Sequence, residues 1–103
     1  MTAILFIFII FMTSPSVANS GDLAEKLALL FASEKFCAFK YNQNNIKKYI
    51  KQNISEDDIR FPQELKFRLH SAKISLKMYK TSEKTAHCTQ VERIARKLKF
   101  ITK

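Results

Sequence analysis

Apolar positions open the chain as one block, with no polar side chain from Ala3 through Met12. Thr13, Ser14 and the helix-breaking Pro15 end it, and Ser16-Val17-Ala18 sets small residues at the positions a signal peptidase inspects. This pattern predicts a signal peptide over residues 1–18 and a helical domain over 19–103. A membrane-spanning helix needs about 20 apolar residues, so a block this short is poorly suited to remaining in the bilayer. Residues 1–20 hold no Lys or Arg, which leaves the basic start of the leader to the terminal amine. The alternative is an uncleaved anchor, and both readings put the domain outside the cytoplasm.

Beyond the leader the apolar residues recur at helical spacing, and no alternating β-branched run is long enough to suggest a sheet. Asp22 and Glu25 have the spacing of a capping box, so a first helix is expected from about Leu23 to Phe39, with a break near Ser33. Its apolar residues lie nearly all round. Asn45 is expected to cap a second helix, Ile46 to about Gln52, with Ile46, Tyr49 and Ile50 on its apolar face. Pro62 suits the first turn of a third helix running to about Tyr79, and Thr81 or Ser82 caps a fourth running to about Phe100.

On a wheel of 100° per residue, Leu65, Leu69, Ala72, Leu76 and Tyr79 share one arc of the third helix, which predicts its core stripe. Phe67, Ile74 and Met78 cluster on the opposite side. A helix apolar on two faces is either sandwiched, the simpler expectation in a small bundle, or it exposes one face to a partner. On the fourth helix His87, Val91, Ile94, Ala95, Leu98 and Ile101 fill one arc, with Cys88 at its edge.

Composition sharpens the fold class. One Gly and two Pro in 103 residues, with many Lys, Leu, Ile and Ala, point to an all-α domain, a small antiparallel bundle of about four helices joined by short connections. A domain of this size buries only about 60% of its unfolded surface and often uses a covalent staple. The two cysteines, Cys37 and Cys88, have one intramolecular pairing in an oxidising compartment. Closing that 51-residue separation destabilises the unfolded chain by about 4 kcal/mol in the chain-entropy account. A structural disulfide is therefore expected.

No stretch carries a signature that names a reaction. A thiol enzyme built on Cys88 and His87 fails because helical neighbours diverge by about 100°. A zinc site from Cys37, His70, His87 and Cys88 lacks both Cys-x-x-Cys and His-x-x-x-His spacing, so no metal and no cofactor is expected. Glu56, Asp57 and Asp58 lack calcium-loop spacing and read as a helix start.

Charge is distributed unevenly. Residues 1–65 carry seven basic and seven acidic side chains, while residues 66–103 carry eleven basic ones against Glu83 and Glu92. The net +9 thus belongs to the last two helices. Such a field attracts anionic lipid or envelope surfaces, and Lys66, Lys73, Lys77, Lys80, Arg93, Arg96, Lys97 and Lys99 are the residues that would meet them. Nucleic acid is disfavoured by export and by the lack of any recognition motif. The plainer reading is compositional, since 14 of the 18 basic residues are Lys on solvated faces.

At Phe36-Cys37-Ala38-Phe39, Asp57-Asp58-Ile59-Arg60-Phe61 and Thr85-Ala86-His87-Cys88-Thr89-Gln90, continuing through Arg93, Ala95 and Phe100, the chain resembles uncharacterised small secreted two-cysteine helical proteins of alphaproteobacteria. The resemblance implies a Gram-negative periplasm and implies no activity. The expectation is a periplasmic or secreted, non-enzymatic binding or accessory protein. A protein partner would meet Phe67, Ile74 and Met78, and the alternative is a basic protein that binds anionic lipid.

Overall fold

The computed structural model describes residues 20–102, and the expected signal peptide at residues 1–18 lies outside them. Four helices, and no strand among the described residues, make the fold all-α: α1 (Ser20–Phe36), α2 (Gln43–Asn53), α3 (Phe61–Leu76) and α4 (Thr81–Lys97). None of these helices is long and apolar enough to cross a membrane.

The all-round apolar pattern of α1 makes it the central helix, with Ala24, Leu27, Ala28, Leu30, Ala32 and Ser33 all buried. Its main neighbour is α3, which runs in the same direction: Glu25 meets Arg68, and eleven residues on, Phe36 meets Tyr79. From α3 come buried Phe61 and Leu76 and half-buried Leu65, Leu69 and Ala72, the expected stripe. Tyr79 lies past the helix end and is largely exposed. From α4 come buried Val91 and Ala95; Ile94, placed by its arc in the core, is instead exposed at the edge of the contact.

Residues 41–46 and 95–101 close the core. Phe100 is fully buried, 6.3 Å from the Phe31 ring, 6.0 Å from Tyr41 and 5.6 Å from Tyr49. The Tyr41 hydroxyl donates to the Leu30 carbonyl at 2.8 Å, and its backbone N–H donates to the Glu34 carboxylate at 2.7 Å. Burial first, and Glu34 second, push the Tyr41 phenol up to about 12.

Helix ends depart from the sequence expectations for identifiable reasons. α1 does not break at Ser33: the buried side chain stays within the helix, its hydroxyl donating to the Leu29 carbonyl at 2.7 Å. It ends at Phe36 in a Schellman turn: Ala38 takes the left-handed conformation at φ 61°, and the Phe39 N–H reaches the Glu34 carbonyl at 2.8 Å. α4 stops at Lys97, not Phe100, by the same device, with Lys99 at φ 66° and the Phe100 N–H on the Ala95 carbonyl at 2.8 Å. This turn swings Phe100 into the core.

Asn42, not Asn45, caps α2, accepting from the Asn45 N–H at 3.0 Å. Asn45 is diverted to the Lys99 carbonyl, to which its amide donates at 2.7 Å. α1 begins at Ser20, so Asp22 lies inside its first turn instead of at the cap position, and Glu25 stands 3.7 Å from Arg68. Lys80, not Thr81 or Ser82, is the cap of α4, and its N–H donates to Glu83 at 2.8 Å. Glu56, Asp57 and Asp58 lie in the turns before α3 instead of inside a helix start. Pro62 does occupy the first turn of α3, which ends at Leu76.

Candidate functional site

Cys37 and Cys88 form the expected disulfide, with Cα atoms 5.6 Å apart. Its position follows from helix geometry: Cys37 ends α1 and Cys88 sits one turn before Val91 on the core-facing side of α4. Such a bond belongs to an oxidising compartment.

Beside the bridge, His87 turns its Nε2 to the Ser33 hydroxyl at 2.7 Å. The Phe36 and Tyr79 rings stand edge-on to the imidazole at 6.1 and 5.3 Å, and the Lys84 ammonium lies 4.7 Å from the Phe36 ring centroid. Burial pushes the His87 pKa below its ordinary value of 6.5. Because Ser33 donates its one hydroxyl proton to Leu29, the arrangement that satisfies every atom has His87 Nε2–H donating to Ser33. That is the reverse of the direction a nucleophilic serine requires, and the Ser33 side chain is fully buried. The pair joins the partly exposed His87 of α4 to the buried Ser33 of α1. Sequence reading placed His87 on the core edge and missed Ser33, whose signal was a serine inside an otherwise apolar arc of α1.

No three His, Cys, Asp or Glu side chains gather to hold a metal ion among the described residues.

Phe67, Ile74 and Met78, for which sandwiching was the simpler expectation, face solvent at 72%, 51% and 77% exposure. The reason is geometric. α3 rests on α1 through Phe61, Leu65, Ala72 and Leu76; Phe67 and Ile74 lie half a turn away, where no helix among the described residues covers them, and Met78 follows in the turn after α3. Lys66, Lys73 and Lys77 flank this stripe and are exposed.

The other expected cations are also exposed but do not converge on one patch. Arg93 and Lys97 border a shallow depression with Gln90 and Ile94. Arg96 is held by Glu92 at 2.8 Å. Lys80 caps the start of α4 and Lys99 lies in the turn after it. Lys73 and Lys77 instead share a groove between α1 and α3 with two residues outside the expected cation set, Lys35 of α1 and His70. A second groove between these helices contains Phe67 but is lined by Asp22 and Glu25 as well as Lys26 and Arg68, so its charges are mixed.

Comparison with known protein families, curated proteins and solved structures finds no match to this chain.

Proposed function

We propose that this chain is an exported, non-enzymatic binding protein of the periplasm or the secreted fraction, and that its working surface is the outward face of α3. One observation carries the reading: Phe67 and Ile74 stand in solvent on the side of α3 turned away from α1, and Met78 stands in solvent in the turn that follows the helix. Three large apolar side chains in one exposed stripe mark a surface that another body covers. The oxidising compartment implied by Cys37–Cys88 supports export. The resemblance to small secreted alphaproteobacterial proteins favours the periplasm.

A second reading has its own support. Lys66, Lys73 and Lys77 border the stripe, and an apolar ridge flanked by cations suits an anionic lipid or envelope surface, where the rings enter the interface and the ammonium groups meet headgroups. The experiment compares wild type with a Phe67→Ser/Met78→Ser variant in two assays: sedimentation with anionic or neutral vesicles, and crosslinked pull-down from the native envelope. Loss of vesicle binding that depended on anionic lipid identifies a membrane surface. Loss of a specific crosslinked partner identifies a protein. Unchanged behaviour of the variant in both assays removes the face from consideration.

A further inference from the structure

We infer that the groove between α1 and α3 lined by Lys35, His70, Lys73 and Lys77 is a binding site for a single-chain amphiphile with an anionic head. The groove has a volume of about 360 Å³, within the roughly 300–1,000 Å³ range of small-molecule clefts. Its floor is apolar, made by Phe36 and Ala32 from α1 and by Leu76 and Ile74 from α3. Its polar lining is three lysines and a histidine, with no carboxylate among them. The neighbouring α1–α3 groove, where Asp22 and Glu25 stand beside Lys26 and Arg68, shows that this one-sided charge is not general to the helix pair.

Charge complementarity selects the occupant. Three ammonium groups around one apolar trough repel one another, and an anion placed among them relieves that repulsion while accepting their N–H donors. A purely ionic ligand would leave Phe36 and Ile74 in water, and a purely apolar one would leave the lysines unanswered. A carboxylate, sulfate or phosphate on one alkyl chain satisfies both: the head sits between Lys35, Lys73 and Lys77, and the chain lies over Ile74 and Phe36. The site goes beyond the docking face proposed above. Ile74 is shared at the edge of the two, but Phe67 and Met78 line no part of the groove, and it takes a monomer in solution, not a bilayer.

Isothermal titration of the oxidised protein with laurate, kept below its micelle concentration, tests this. The expected result is saturable binding at one site, much tighter than for 1-monolaurin, which carries the same alkyl chain without the charge. Lys35→Glu/Lys73→Glu, both on exposed positions, should weaken laurate by about tenfold or more, with helix content by circular dichroism unchanged. Arg93→Glu/Lys97→Glu, an equal charge reversal away from the groove, should leave the affinity unaltered, as should Phe67→Ser/Met78→Ser, including where that variant has lost vesicle binding. Equal affinity for laurate and monolaurin, equal weakening by Arg93→Glu/Lys97→Glu and the groove variant, or no saturable binding by folded protein would each overturn the proposal.

Discussion

Replacing both cysteines, Cys37→Ala/Cys88→Ala, should remove most of the margin by which this domain stays folded. The bond spans a sequence separation of 51, and freeing a loop of that length returns about 4 kcal/mol of conformational freedom to the unfolded chain. A domain of this length has a net stability of only roughly 5–10 kcal/mol. Native-state losses are small beside this, because both cysteines are half-buried and an alanine leaves little void. The structure also shows where the loss falls. α1 and α4 share far less contact than α1 and α3, so the bridge, the Ser33–His87 pair and the Phe31–Phe100 contact carry much of the attachment of α4. Urea unfolding followed by circular dichroism should give a stability lower by about 3–4 kcal/mol, with a steeper denaturant dependence because the unbridged chain exposes more surface. A loss below about 1 kcal/mol at unchanged slope would refute the reasoning, since the clasp would then be doing little that α1–α4 packing does not already do.

Two further outcomes follow from local geometry. Lys99→Gly should raise stability by about 0.5–1 kcal/mol in thermal melts, because glycine relieves the left-handed strain of φ 66° while adding some freedom to the unfolded chain; a destabilised variant would show that the lysine side chain holds the turn. Because the folded protein holds His87 below its ordinary 6.5, the unfolded state binds the proton first, so stability present above that pH should decline as pH falls beneath it, and His87→Gln should flatten that part of the curve.

The legible part of the fold rested on composition and period. A chain with one glycine and helical apolar spacing had few alternatives to a helical bundle, and two cysteines had one partner each. The apolar face of α2 and Pro62 in the first turn of α3 are local properties, and local rules found them. The helix caps were not local. Asn42 and Asn45 are equally good caps by residue type, and the choice is made by the Phe100 and Lys99 carbonyls, which bond the Asn42 N–H at 2.7 Å and the Asn45 amide at 2.7 Å from the far end of the domain. For the same reason a wheel could place the stripe by which α3 rests on α1 but not show that the second apolar side is left uncovered. The cation-lined groove was invisible because Lys35 and Phe36 are distant in sequence from His70, Lys73 and Lys77, and only the parallel course of α1 and α3 places them together.

The turn after α4 has a consequence for the order of events in the cell. Phe100 fills the centre of the aromatic cluster, and the carbonyls that secure the start of α2 belong to residues 99 and 100. Until this stretch has left the ribosome, Tyr49 lacks the Phe100 ring and Tyr41 has only its near neighbour Phe39 to close against, so an emerging polypeptide cannot seal its interior. Closure of the core therefore waits on the segment after α4, and a polypeptide truncated before Lys99 should keep helices without holding its rings in fixed packing.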